Sequence, residues 1–304
     1  MFSYNIFQWI LFFYIYCVCG WVFETTYVSL KSKRFVNRGF LKGPMIPIYG
    51  EGAILMVIIT TPIMDNIWFV FIMGMIGATL LEFIVGALME SVFKVKYWDY
   101  SNQRFNIKGY VCLSSTVCWG FLSVLLTKVI QLPIESVVLS LKPVTLSAVV
   151  AVITIIFMFD AVTSAKEAWD LRSVLLALTK AREEIAIIQR QLEIKKDIFA
   201  VQLSDKRIDF VEQLIDKRDE IFEELQARKD VILHSIKGNR GNVIDDEILK
   251  NRLDEELTKH QSLVEKLSST SRWILKRNPG ATSNKFYDAL EYIKDYVDVK
   301  KRKK

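Results

Sequence analysis

Histidine is almost absent from this sequence of 304 residues: His234 and His260 are the only two, and both lie in the charged second half. The four cysteines lie in apolar runs, and the spacing of Cys17 and Cys19 points their side chains to different sides of a helix. A catalytic Cys–His pair or a histidine-rich metal site therefore has no residues to form it. We expect neither an enzyme nor a bound metal or cofactor.

Two further signals are missing. The sequence has no Gly-x-x-x-x-Gly-Lys-Ser/Thr phosphate loop, so any ATPase that works with this chain is expected to be a separate subunit. The first apolar run lacks a basic n-region and a small-residue cleavage site, which indicates a retained membrane span rather than a secretory signal.

Long apolar runs fill the chain up to about Thr163. Each is close to the roughly 20 residues that cross a bilayer as a helix. We predict five spans, at residues 5–30, 40–64, 67–93, 109–132 and 144–163. The fold class is therefore all-α, a polytopic helix bundle (residues 1–164) followed by a charged helical tail (residues 165–304).

The basic residues of the first half concentrate in the loops after spans one and three, whereas the connection at Asp65 has none. Lysine and arginine favour the cytoplasmic side of a membrane protein. This pattern predicts a multi-pass protein of the cell membrane with its N-terminus outside and its tail in the cytoplasm. The net charge of +6 fits anionic lipid as a partner and gives no reason to expect nucleic acid.

The two basic loops resemble each other. Arg34 to Phe40 reads RFVNRGF and Arg104 to Tyr110 reads RFNIKGY, and the same offset carries Tyr49 onto Trp119. A parallel internal duplication would produce this pattern, and transporters with such repeats bind substrate between the copies. Two unrelated loops at a membrane interface could also look alike, since basic and aromatic residues collect there.

Carboxylates within the apolar runs are the strongest functional signal, because a charged group inside a bilayer is costly and is usually placed for function. Glu82, near the middle of the third span, is the clearest case, and a proton or cation site is one interpretation of it. A helix–helix hydrogen bond is the other. The candidate substrate or ion-binding residues are Glu24, Glu82, Glu90, Glu51, Arg38, Asn37, Arg104, Tyr49 and Trp119.

The start of the second span, from Gly43 to Gly52, holds two prolines and several glycines, which predicts an interrupted or late-starting helix. Its free backbone N–H groups could hold an anion, whereas Glu51 favours a cation. The sign of the substrate therefore stays open.

The tail predicts a long helix at residues 165–237, a turn at 238–242, a returning helix at 243–276 and a short helix at 283–299. From Lys195 four undecapeptides follow one another, a period that keeps one apolar stripe aligned along a nearly straight helix. The stripe can be covered in a coiled coil with a second copy or another partner, by a hairpin within the chain, or by the membrane surface.

Four stretches of the first 130 residues resemble a known family: GWVFET from Gly20, NRGFLKGPMIPIYG from Asn37, YWDYSNQRFN from Tyr97 and CLSSTVCWG from Cys112. They are similar to the bacterial ABC-transporter type IV, or CmpB-like, membrane family. The resemblance implies a multi-pass membrane protein of permease type.

Two functions remain. The first is a transporter or permease subunit with intramembrane acidic residues at a repeat interface. The second is a membrane-anchored scaffold or sensor whose coiled-coil tail recruits partners.

Overall fold

The computed structural model describes residues 4–203, 246–270 and 272–302. Within these ranges the chain is helical, with two isolated β-bridges and no strand, in agreement with the predicted all-α class. The chain divides into two compact units. One comprises Met1–Ala177 together with Val264–Lys304, and the other comprises Leu178–Leu263.

The helices of the described residues are, in chain order, α1 (Ile6–Ser32), α2 (Pro47–Thr60), α3 (Ile67–Phe93), α4 (Leu113–Leu125), α5 (Gln131–Ser140), α6 (Pro143–Leu203), α7 (Asp246–Thr270), α8 (Arg272–Arg277) and α9 (Tyr287–Arg302). A 3₁₀ turn, Thr61–Ile63, extends α2, and a π-helical segment, Leu126–Ile130, joins α4 to α5.

Four helical stretches are long and apolar enough to cross a membrane: Ile6–Ser32, Ile67–Phe93, Leu113–Ser140 and Pro143–Ile194. They overlap four of the five predicted spans, although the last two extend beyond the predicted ends at residues 132 and 163. The second predicted span, residues 40–64, is present as the shorter apolar helix Pro47–Ile63. Its late start at Pro47 follows from the prolines and glycines before it, as predicted.

Helices α1 and α3 have the same length, 27 residues, and the same boundary chemistry. Asn5 and Asn66 accept backbone N–H groups of the first turn, which satisfies donors that have no partner in the helix. Lys33 and Lys94 end the two helices in the left-handed conformation, with φ of 50° and 59°. The two long helices are therefore bounded by local sequence.

An apolar core joins these helices around buried residues such as Phe12, Met56, Ala78 and Val150. Several polar side chains form hydrogen bonds between helices within the bundle. The hydroxyls of Thr60 and Thr127, for example, lie 2.9 Å apart.

Helix α2 begins beside the middle of α1, because the Ile46 N–H donates to the Cys17 carbonyl oxygen at 3.0 Å. The first turns of helix α4 lie beside the middle of α3, where Thr79 donates a hydrogen bond of 2.9 Å to the Thr116 hydroxyl. Loop one (residues 33–46) and loop three (residues 94–112) therefore run back along the ends of α1 and α3. We call this end of the helices the loop face.

The predicted division at residues 164 and 165 falls within α6, which is continuous from Pro143 to Leu203. The rest of the predicted long helix and the turn at 238–242 lie outside the described residues. The second unit has buried apolar side chains on both of its described helices, Ile188 on α6 and Leu249 on α7. A coiled-coil tail stays a prediction.

Candidate functional site

Glu82 on α3 is the buried centre of a polar cluster, with 5% of its surface exposed. The indole Nε1–H of Trp119 donates to its carboxylate at 2.9 Å, and the Tyr100 hydroxyl donates at 3.3 Å. Trp119 lies on α4 and Tyr100 on loop three. Glu82 is therefore held by neutral donors that come from two different elements.

Tyr100 also lies within the electrostatic influence of a second carboxylate, Glu24. Burial raises the pKa of Tyr100, and the charges of Glu82 and then Glu24 raise it further. Tyr100 therefore stays protonated and remains a donor at neutral pH. Because Glu24 and Glu82 both act on this phenol, the two carboxylates belong to one electrostatic site.

Glu24 on α1 pairs with Arg38 of loop one, whose Nε lies 3.3 Å from a carboxylate oxygen. The backbone of loop one is fixed beside α1 by side chains of that helix. The Arg38 N–H donates to the Thr25 hydroxyl at 3.2 Å, and the Trp21 indole donates to the Asn37 amide oxygen at 2.6 Å. Loop one thus delivers one guanidinium to the edge of the site.

Two aromatic rings form the deep wall of the site. Tyr49 of α2 and Trp119 of α4 meet at 5.4 Å between ring centroids, although the chain separates them widely. The Tyr49 ring fits because Gly20 lies beneath it, where a Cβ atom would overlap the ring. Gly20 is therefore required for the close approach of α2 to α1.

The charges of this cluster do not balance. Two carboxylates, Glu24 and Glu82, face one guanidinium, Arg38, and that guanidinium is paired with Glu24. Among the described residues no lysine or arginine forms an ion pair with Glu82. When both carboxylates are ionised, the site carries one excess negative charge in a buried environment.

Six of the nine predicted site residues lie in or beside this cluster: Glu24, Glu82, Arg38, Asn37, Tyr49 and Trp119. The other three do not. Glu90 lies nearer the loop face, where it accepts hydrogen bonds from Tyr110 and Asn284 and has Lys96 Nζ at 3.9 Å. Arg104 is exposed in loop three.

Glu51 is also separate from the cluster. It is exposed and lines an apolar groove of about 510 Å³ formed by residues of α1, α2 and α6, among them Trp9, Phe13 and Thr154. A carboxylate in an apolar groove does not contribute to the charge balance around Glu82.

The backbone N–H groups of loop one, which could have held a free anion, have a partner within the chain. Lys42 and Gly43 donate to the Asp160 carboxylate of α6 at 3.0 and 2.8 Å. The loop therefore offers no anion site at these two amides in this structure, and Asp160 fixes loop one to α6.

Sequence reasoning missed Tyr100 and Trp21, which each donate a hydrogen bond to a residue of the site. The run from Tyr97 to Tyr100 belongs to a stretch that resembles the family, but nothing in its spacing indicates which ring turns towards Glu82. Within the described residues, no group of three or more His, Cys, Asp or Glu residues could hold a metal ion.

Comparison with known proteins gives one match. The model of the family described as "Putative ABC-transporter type IV" matches residues 11–165, which include every helix and loop that contributes to the cluster. No curated protein and no solved structure matches the chain. Since the family model covers half of the chain, the protein belongs to the ABC-transporter type IV family.

Proposed function

We propose that the protein transports a solute across the cell membrane and that Glu82 is the charge-carrying group of its site. The observation that carries this proposal is a carboxylate 5% exposed, held by neutral donors and without a cationic partner among the described residues. At about 1.5 Å per residue, Glu82 lies roughly 22 Å along α3 from Ile67, inside a hydrocarbon layer about 30 Å thick. A carboxylate at this depth is costly unless it binds something.

The charge balance favours a positive substrate or coupling ion. A proton or a cation at Glu82 would neutralise the excess charge of the Glu24–Arg38–Glu82 cluster. The Tyr49 and Trp119 rings could cover such an ion on its deep side, where their faces attract a cation. The site lies between the α1–α2 and α3–α4 hairpins, the two halves of the predicted duplication.

We place the loop face in the cytoplasm and the N-terminus outside, because loops one and three carry the basic residues. In this orientation the tail is cytoplasmic, and it could join copies of the chain or bind a partner through its apolar stripe. A separate ATPase subunit, which the family description suggests, would also bind on this side.

Complementation of cells that lack the protein tests the proposal. Glu82→Gln keeps the size of the side chain and an acceptor for Trp119 but removes the charge that binds a cation. We expect this variant to insert normally and to lose function at matched membrane abundance. Glu193→Gln, the same change at an exposed position of α6, is the control and should behave as wild type. Full function of Glu82→Gln would contradict the proposal.

A scaffold or sensor is the second candidate, and the continuity of α6 favours it. One helix runs without a break from the candidate span at Pro143 to Leu203 in the tail. Asp160 and Glu167 of this helix contact loop one through Gly43 and Lys42. Movement in the membrane domain could therefore reach the tail. Normal function of Glu82→Gln, with loss on removal of the tail, would favour this reading.

A further inference from the structure

A short segment far along the chain returns to the loop face. We call residues 277–286 the strap; they connect α8 to α9 and include the Asn278-Pro279-Gly280 break. The strap belongs to the same compact unit as α1 to α5 and contacts both loop one and loop three. The family match ends at residue 165, so the strap lies outside it.

The contact with loop one is made by Asn278, which is 3% exposed. Its amide oxygen accepts from Arg38 Nη1 at 3.1 Å, and its amide nitrogen donates to the Gly39 carbonyl at 3.2 Å. Arg38 Nη1 also lies 3.3 Å from the Arg277 carbonyl oxygen. These neutral acceptors use the part of the guanidinium that Glu24 does not, so they fix its orientation within the site.

The contact with loop three is made by Thr282 and Ser283. Lys96 and Thr282 exchange two backbone hydrogen bonds of 2.8 and 2.9 Å. The Thr282 hydroxyl donates to Asp99 at 2.7 Å, and the Ser283 hydroxyl donates to the Lys94 carbonyl at 2.6 Å. Asp99 precedes Tyr100, the residue that donates to Glu82. The strap therefore fixes the loop from which Tyr100 reaches the site.

The contact is extensive but leaves two buried polar groups without a partner. Among the described residues, none hydrogen-bonds Arg277 Nε or the Tyr97 hydroxyl, although both are shielded from solvent. A buried donor without an acceptor costs about 1–3 kcal/mol. Arg277 is nevertheless paired through Nη2 with Glu167 of α6 at 3.3 Å.

We propose that the strap positions Arg38 and Tyr100 over the two carboxylates and closes the loop face of the site, with Asn278 and Thr282 as its positioning residues. The contacts of the strap with loop one and loop three are the observations that support closure of the site. Its consequence for transport rests on the function proposed above. Release of the strap would free Arg38 and Tyr100 together, because one segment holds both loops.

Hydrogen exchange of the full-length protein in lipid tests the docking without a variant. The amides of Lys96 and Thr282 donate to each other's carbonyl groups, so we expect both to exchange slowly and at similar rates. Exchange of either amide at the rate of an unstructured peptide would mean that the strap is not docked, and would overturn the proposal.

Variants then test positioning. Thr282→Val keeps the shape but removes the bond to Asp99, and Thr282→Ser restores the hydroxyl. Thr282→Val should speed exchange at Lys96 by about two- to tenfold, the factor for one neutral hydrogen bond, and Thr282→Ser should reverse the change. Asn278→Leu removes both hydrogen bonds to loop one and should increase the exchange rate of the Lys96 amide about tenfold or more. Gly280→Ala is the control, because its Cβ would meet no atom within 4 Å.

The native thiol of Cys112 reports access to the site. It is buried at the end of loop three, the same loop that carries Tyr100. Alkylation of Cys112 by a small thiol reagent, read from its peptide by mass spectrometry, should accelerate in Asn278→Leu and Thr282→Val but not in Gly280→Ala or Thr282→Ser. Unchanged alkylation in both strap variants would show that the strap does not close the site.

These measurements separate the strap from the function proposed for Glu82. Glu82→Gln should leave Lys96 exchange and Cys112 alkylation as in wild type even if it abolishes transport. If the strap variants accelerate Lys96 exchange and Cys112 alkylation while Glu82→Gln remains active, the strap closes the site as proposed and Glu82 is not the ion site. If Glu82→Gln is inactive and the strap variants change neither exchange nor alkylation, the ion site stands and the strap fails.

Discussion

Glu82 and Glu90 lie two turns apart on the same helix, yet their surroundings differ in kind. Glu82 is held by the neutral donors Trp119 and Tyr100. Glu90 also accepts from neutral donors, but Lys96, itself 5% exposed, lies within 3.9 Å of it. Among the residues that the structure describes, the first carboxylate has no cationic partner, whereas the second is paired with Lys96.

This difference separates a group that can bind from a group that holds the fold. A carboxylate next to a buried cation already has a partner within the protein that favours its charged form. A carboxylate surrounded by neutral donors can still gain from a proton or a cation. Glu82 is buried and Glu90 is partly buried, so burial alone does not distinguish a binding role from a structural one.

The largest effect is expected from the glycines beneath the two regions. A Cβ at Gly20 would overlap the Tyr49 ring, whereas at Gly86 it would lie 3.1–3.3 Å from Tyr110 and Trp98. Gly20→Ala should therefore destabilise the protein by about 1–3 kcal/mol and displace Tyr49 from Trp119. Gly86→Ala should cost less than about 1 kcal/mol. Denaturant titration of both variants measures the difference, and equal costs would contradict this packing.

The next effect is on stability at the two carboxylates. Glu90→Gln leaves the buried Lys96 without its counter-charge and should cost about 1–3 kcal/mol. Glu82→Gln keeps an acceptor oxygen for the Trp119 indole, and its NH2 group can donate to the Tyr100 hydroxyl, so its cost should stay below about 1 kcal/mol. The free energies of unfolding in the same detergent test this order. A Glu82→Gln variant less stable than Glu90→Gln would reverse the two roles.

A smaller effect is expected from the tyrosines that donate to these carboxylates. Tyr100→Phe and Tyr110→Phe each remove one hydroxyl, to Glu82 and Glu90 respectively. Both should lose about 1 kcal/mol of stability. Only Tyr100→Phe should change the pH dependence of transport, because it alone alters the surroundings of Glu82. A shifted profile in Tyr110→Phe would place the charge-carrying group elsewhere.

The smallest expected effect is the loss of hydrogen-exchange protection at acidic pH. Burial by itself would raise the pKa of Asp99, but hydrogen bonds from Ser101 and Thr282 lower it below its usual value. A lowered pKa stabilises the folded state above the unfolded pKa of about 3.9, and this contribution is lost as the pH falls through the folded value. The hydrogen-exchange protection of Thr282 should therefore weaken only below about pH 4. In Asp99→Asn this acid-dependent step should disappear.

Much of the site could be predicted from the sequence because its residues break a pattern. Glu24 and Glu82 stand out as carboxylates in apolar runs, and Arg38, Tyr49 and Trp119 lie in the stretches that resemble the family. The sequence alone could not show that Glu90 lies apart from these residues, because Lys96 faces Glu90 only after loop three folds back along α3.

Other features depend on contacts between separate segments of the chain, which the periodicity of the sequence does not reveal. The depth at which α2 begins depends on the Ile46 contact with Cys17, so the predicted span of residues 40–64 is longer than the helix Pro47–Ile63. The strap depends on contacts such as Asn278 with Gly39, between segments far apart in the chain. Asn278-Pro279-Gly280 indicated only a break between helices. The predicted duplication and the coiled-coil tail remain predictions.

Cation and proton uptake into proteoliposomes tests the central contrast most directly. Wild type, Glu82→Gln and Glu90→Gln would be reconstituted at equal amounts of folded protein, so that stability does not enter the comparison. We predict that Glu82→Gln takes up no charge beyond that of empty liposomes, while Glu90→Gln retains uptake close to wild type. Uptake retained by Glu82→Gln, or lost equally from both variants, would contradict the assignment of Glu82 as the charge-carrying group.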